Sequence, residues 1–200
     1  MKDYILFLLL LPLSLVPWLV RTTFWGHVAV VLVAYLLVPL LVSTALDYRP
    51  EEVGLSKPKR RGLVLFLLLF ILSIPLSIYG ATIPSMRNYY PVFPYSGVAT
   101  FLLGELGMGL IMLAHEAFYR GFLLFPLARK NEWLAVLLQD IPYTLVHVGK
   151  PGIEVPYAFI AGIIFAKMDL EGESFLPSFL LHWLGSAFFD FLCASSFAVP

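Results

Sequence analysis

The chain has 200 residues, of which 60% are hydrophobic and 13% are charged, and its formal net charge at pH 7 is zero. Soluble domains are about half apolar and a quarter charged, so this composition predicts a membrane protein and excludes an ordinary soluble domain. The neutral charge and the lack of a long basic tract argue against nucleic acid as a partner. The one cysteine, Cys193, excludes an internal disulfide.

Seven apolar stretches in the chain predict seven transmembrane helices. By residue number they cover about 4–20, 27–46, 63–83, 98–125, 133–148, 155–168 and 174–196. No cleavage site with small residues follows the first stretch, so we expect a retained helix and not a signal peptide.

The loops between these stretches differ in their charge. Segment 84–97 is rich in proline and tyrosine, which is typical of an outer membrane interface. The positive-inside rule places the basic segment 47–62, and with it the N-terminus, in the cytoplasm. The basic residues of that segment are Arg49, Lys57, Lys59, Arg60 and Arg61.

Most polar side chains at membrane depth come from the fourth, fifth and seventh stretches. A charged group at that depth is costly unless it is paired or hydrated, so such residues are functional candidates. They are Glu105, His115, Glu116, Arg120, Asp140, His147, His182 and Asp190. We therefore expect an all-α membrane bundle, a single domain of residues 1–200, with a polar intramembrane cavity formed by catalytic-like helices in residues 98–196.

The spacing of the polar residues predicts which of them share a helix face. Glu116 and Arg120 are four residues apart, so each charge can offset the other on one face. His182 and Ser186 have the same spacing. One stripe of the fourth helix and one of the seventh should therefore face the shared polar site.

The fifth stretch carries its own polar face. Asp140 and His147 are seven residues apart, about two turns, and Tyr143 lies between them on the same face. Pro142 should bend this helix, because proline has no N–H donor and clashes with the preceding turn.

In this order and spacing the motifs resemble those of the CAAX-processing and bacteriocin-processing protease family, called CPBP or Abi. The family pattern is Glu-Glu-(x)3-Arg, then Phe-(x)3-His, then His-(x)3-Asn or Asp. The corresponding residues here are His115-Glu116-(x)3-Arg120, Tyr143-(x)3-His147 and His182-(x)3-Ser186. The segment 51–55 also resembles one often found upstream of the motifs in that family.

The resemblance implies an intramembrane endopeptidase that hydrolyses a peptide bond of a membrane-associated substrate with an activated water. A prenylated C-terminal peptide is one such substrate, and the lipid bilayer is the other expected partner. The expected location is the plasma membrane of a prokaryote. Family members are described either as glutamate-dependent or as metalloproteases; we expect no obligatory cofactor, with zinc as the alternative.

The chain departs from the family pattern at two positions. His115 stands where the first glutamate is expected, and Ser186 stands where asparagine or aspartate is expected, while Tyr143 in place of phenylalanine is a milder change. The carboxylate that would activate water is therefore missing from its usual position.

Three mechanisms follow from these departures. In the first, His115 or Glu116 acts with His147 to activate water, since histidine is an effective base near neutral pH. His182 and Ser186 then donate hydrogen bonds to the oxyanion. In the second, the motif histidines His115, His147 and His182 bind zinc and Glu116 is the base. In the third, the protein binds its target without cutting it.

The sequence is also compatible with two classes of protein that are not proteases. A binding or immunity protein that lost the first motif glutamate is the main alternative. A proton-coupled carrier would also use buried acids and histidines, but no inverted repeat or pair of broken spans accompanies them.

Overall fold

The computed structural model describes residues 1–195, and the regular structure in that range is helical throughout. Seven long helices follow one another: α1 Lys2–Leu19, α2 Phe24–Ala45, α3 Arg60–Gly80, α4 Val98–Ala128, α5 Glu132–Leu145, α6 Glu154–Gly172 and α7 Leu176–Ala194. A 3₁₀ turn, Pro50–Val53, and a single helical turn, Pro84–Arg87, lie in the loops. The predicted all-α fold class is confirmed; the predicted end of the last span, Ser196, lies outside the described residues.

Five of the seven helices, α1, α2, α3, α4 and α7, are long and apolar enough to cross a membrane. Helix α5 has 14 residues and is about 21 Å long, whereas a bilayer core is about 30 Å thick. Helix α6 has 19 residues but carries four charged ones, Glu154, Lys167, Asp169 and Glu171. The chain is an integral multi-pass membrane protein, but only five of its seven predicted spans qualify by length and composition.

Helix α4 lies at the centre of the bundle. It contacts α1, α2, α5, α6 and α7, and its second half is buried on all sides from Glu116 to Leu124. Helix α3 lies outside, packed on α6 and α7, and most of its apolar side chains are exposed. A helix of that kind, apolar all round but packed on one side only, is suited to contact with lipid.

Two helices widen locally into π-helix, and each time a proline follows closely. The segment Leu32–Leu37 of α2 precedes Pro39, and the segment Ala117–Leu124 of α4 precedes Pro126. Proline lacks an N–H and crowds the carbonyl four residues before it, so the normal hydrogen-bond ladder cannot continue there. Such π segments are frequent at functional sites, and the one in α4 contains Arg120.

The segment 51–55, which resembles the family's upstream segment, packs directly on the motif helix. Gly54 has a positive φ of 73°, a conformation that favours glycine. A Cβ added to Gly121, the residue after Arg120, would lie 2.9 Å from the carbonyl oxygen of Val53. Gly121 is therefore required by the close approach of this segment.

Charged residues tie the start of α1 and the segment before α3 to the end of α4. Arg129 donates to Asp3 Oδ1 at 2.8 Å and also pairs with Glu52. The hydroxyl of Tyr48 donates to the same Asp3 oxygen at 2.7 Å. The backbone N–H of Arg49 and then the Arg129 guanidinium lower the pKa of Glu52 to about 2.

The α3–α6 contact depends on a close approach of two backbones. A Cβ on Gly62 would lie 2.5 Å from the Cα of Gly172. Backbone atoms cannot rotate away as a side chain can, so we predict that Gly62→Ala destabilises the bundle by about 1–3 kcal/mol. The measurement is thermal unfolding in detergent. Gly185→Ala is the control, because nothing lies within 4 Å of its added methyl group, and it should unfold no earlier than the wild type.

The Glu52 ion pair predicts a pH dependence. Its folded-state pKa of about 2 lies below the usual value of about 4.3, so the pair contributes stability above about pH 4.3 and loses it as the pH falls towards 2. Glu52→Gln should therefore unfold at a lower temperature than the wild type at pH 7. This difference in unfolding temperature should become smaller as the pH is lowered. Glu51→Gln changes the exposed neighbouring glutamate and serves as the control. If the unfolding temperatures of Glu52→Gln and the wild type differ equally at pH 3 and pH 7, the ion pair is not the source of the pH dependence.

Candidate active site

Glu116, on α4, is the centre of the polar cluster and is completely buried. Its Oε1 accepts a hydrogen bond from Nδ1 of His182 at 2.6 Å, and its Oε2 lies 3.3 Å from Nε of Arg120. An ionised carboxylate has no proton to donate, so Nδ1 of His182 must carry one. The carboxylate thus fixes the imidazole of His182 and leaves its Nε2 available for another partner.

Arg120 is also completely buried, one turn along the same helix face. Its guanidinium carbon lies 3.8 Å from the ring centre of Tyr143 on α5 and 5.7 Å from that of Phe165 on α6. A desolvated guanidinium gains from such ring contacts. The pairing of Glu116 with Arg120 that the sequence predicts is present, with aromatic rings of two further helices around it.

His147 lies in the turn that follows α5, and only 8% of it is exposed. Its Nδ1 is 3.0 Å from the backbone oxygen of Tyr143. A carbonyl only accepts, so Nδ1–H donates, and the neutral ring keeps a lone pair on Nε2. The four-residue spacing of the Tyr143–His147 motif therefore has a direct structural purpose, since it sets the tautomer of the histidine.

His115 lies between the other two motif histidines. Its ring centre is 6.5 Å from that of His147 and 6.0 Å from that of His182. The rings of Tyr119 and Tyr143 lie 4.8 and 5.3 Å away, and its Nδ1 is 3.8 Å from Oε1 of Glu116. The structure therefore brings the histidines of all three motifs close together, with His115 and His182 beside Glu116 and His147 beside His115.

The remaining two candidate residues lie beside this cluster. Asp140 is completely buried, and a Cβ on Gly162 would fall 1.7 Å from its Oδ1, so the carboxyl group lies against the backbone of α6. Ser186 follows His182 by one turn on α7 and is half-buried.

Two acids of the predicted polar set form a separate group. Glu105 precedes Glu116 by eleven residues, about 16 Å along α4, and lies beside Asp190 of α7. Nε1 of Trp183 donates to the backbone oxygen of Glu105 at 3.0 Å. The single shared site expected from the sequence is therefore divided in two along α4 and α7.

Asp169 is a residue that the sequence did not single out. It was expected in a polar loop of residues 169–173, but α6 continues to Gly172 and buries it completely. Its Oδ1 accepts a hydrogen bond from the backbone N–H of Ser178 at 3.0 Å. The only indication in the sequence that the helix continues is the apolar stretch that ends at Met168, directly before Asp169.

One group of described residues has the donor atoms and spacing to hold a metal ion. His115, Glu116 and His182 each offer a ligand atom, all within 4.8 Å of one another. These donor types fit zinc. The group differs from the predicted three-histidine set, because Glu116 takes the place of His147. Glu116 would have to share its oxygens among the metal, Arg120 and His182.

The buried ion pair predicts an asymmetric response to mutation. Arg120→Met leaves Glu116 desolvated without its cation, which should cost about 3–5 kcal/mol. Removing both charges in Arg120→Met with Glu116→Leu should recover part of that loss. Thermal unfolding in detergent measures both. Arg61→Met, which breaks a surface ion pair with Glu171 at a side chain that is 74% exposed, is the control and should cost about 1 kcal/mol or less.

The family model described as type II CAAX prenyl endopeptidase Rce1-like matches residues 97–188, a little under half of the chain. The matched part contains α4, α5, α6 and most of α7, and with them every residue of the three motifs. Comparisons with curated proteins and with solved structures find no match. Over the helices that build its polar site, the chain is thus similar to the type II CAAX prenyl endopeptidases, the family that its motifs resemble.

Proposed function

We propose that this protein is an intramembrane endopeptidase that hydrolyses a peptide bond of a membrane-associated peptide, such as a prenylated C-terminus. The observation that carries the proposal is the 2.6 Å hydrogen bond from His182 to the buried Glu116. It orients one imidazole beside two others inside a membrane protein. The family match over these helices supports the same class of reaction.

His147 is the best-placed general base. Its Nδ1–H is held by the carbonyl of Tyr143, so its Nε2 lone pair is free to take a proton from water. Glu116 is completely buried, and its carboxylate is shared between His182 and Arg120. This favours the first of the three mechanisms, with His115 beside the base and Glu116 in an orienting role.

His182 then serves as the electrophilic partner. With both ring nitrogens protonated, its Nδ1–H binds Glu116 and its Nε2–H donates to the oxyanion. Ser186, one turn further along α7, is the second proposed donor.

The reaction balances without a further reactant. The oxygen of water forms a bond to the scissile carbonyl carbon while its proton passes to Nε2 of His147, and the carbonyl becomes an oxyanion. Collapse of the oxyanion breaks the carbon–nitrogen bond, and His147 returns the proton to the leaving amine. If zinc is bound by His115, Glu116 and His182, it supplies Lewis-acid polarisation of the carbonyl.

The surroundings of the site suit a substrate that arrives from the bilayer. The bundle is multi-pass, and α3 exposes an apolar surface. We propose a prokaryotic plasma membrane as the location, with the N-terminus and the basic segment 47–62 in the cytoplasm, following the positive-inside rule.

The test is cleavage of a fluorogenic peptide by the purified protein, with and without a C-terminal prenyl group. His147→Ala and His182→Ala should each lower kcat/KM by about 10²–10⁴-fold, because each removes a proton-transfer or oxyanion-binding group. Glu116→Ala should do the same by releasing His182. A parallel assay with a chelator tests for bound metal.

Asp190→Asn is the matched control, since it changes a completely buried acid of α7 outside the site, and it should keep wild-type activity. Undiminished cleavage in all three alanine variants would refute the assignment. A wild type that is inactive on every peptide, with cleavage appearing only after His115→Glu and Ser186→Asn, would identify a non-cutting binding or immunity protein.

A further inference from the structure

We propose that Asp169 is a positioning residue of this site, which holds the first turn of α7 so that His182 meets Glu116. The proposal deepens the proposed function and rests on it for its catalytic consequence alone. Asp169 is completely buried, so it cannot contact a substrate and must act through its neighbours.

The first link runs from Asp169 to the start of α7. Helix α7 begins at Leu176 and has no side-chain cap of its own at Phe175. The N–H groups of a first helical turn have no partner within the helix. Oδ1 of Asp169 accepts one of them, from Ser178, at 3.0 Å.

The second link runs along α7 to the site. His182 follows Ser178 by four residues, so the two lie on the same face of the helix, one turn apart. The carboxylate that holds Ser178 therefore fixes the rotation at which α7 presents His182 to α4. The distance of 2.6 Å between His182 Nδ1 and Glu116 Oε1 depends on that rotation.

The test reads the state of His182 directly, by nitrogen NMR of histidine-selectively labelled protein in detergent micelles. In the wild type, His182, assigned by comparison with His182→Gln, should show a protonated, hydrogen-bonded Nδ1. Asp169→Ala removes both links and should replace that signal by a mixture of tautomers. Asp169→Asn keeps the size of the side chain and an oxygen that can accept the Ser178 N–H, so it should retain the wild-type signal.

Asp190→Asn is again the matched control and should leave the His182 signal as in the wild type. A folded Asp169→Ala protein with an unchanged His182 signal would overturn the proposal. If Asp169→Ala does not fold, Asp169→Leu decides, because it fills the space of the side chain but offers no acceptor to the Ser178 N–H. Because the signal requires no substrate, this result stands whether or not the protein cleaves a peptide.

Kinetics add a second readout where the wild type is active. A misplaced imidazole lowers the rate of the chemical step, so Asp169→Ala should reduce kcat on the order of 10²-fold with little change in KM. A loss confined to KM would also count against positioning, because it would indicate a role in substrate binding.

Discussion

A carboxylate and a guanidinium that are both fully removed from solvent place the strongest constraint on this bundle. Glu116 and Arg120 each have no exposed surface, and desolvated charges of this kind are stable only with several partners. The partners come from the three helices that follow α4 in the chain: Tyr143 from α5, Phe165 from α6 and His182 from α7. The second half of the chain is thus packed around one ion pair.

This constraint also underlies the proposal that the histidines carry the chemistry. Glu116 is committed to Arg120 and His182, so the imidazoles are the groups that we propose exchange protons with a substrate. Each of two histidines has its Nδ1–H held by a fixed acceptor, a carboxylate for His182 and a carbonyl for His147. Fixing one ring nitrogen determines what the other can do. A histidine at the first motif position is compatible with such a site, since His115 lies between these two.

Local sequence patterns were sufficient for much of the fold. Apolar stretches predicted all seven helices, and the four-residue spacing of Glu116 and Arg120 predicted their pairing, because both depend on neighbours within one helix. The first and last residues of α5 and α6 were harder to predict. A polar residue inside a helix, such as Asp140, is stable there only because neighbouring helices bury it, and no local sequence pattern shows that burial.

The sequence by itself therefore determined the membrane class, the order of the helices, the family motifs and which polar residues share a face. The tertiary structure alone decided that His182 meets Glu116 across 66 positions of chain, that Glu105 and Asp190 stand apart from them, and that Asp169 of α6 binds the first turn of α7. The physical reason is that spacing within a helix follows from its 3.6-residue turn, whereas contacts between helices depend on how whole faces pack and on which buried charges require partners.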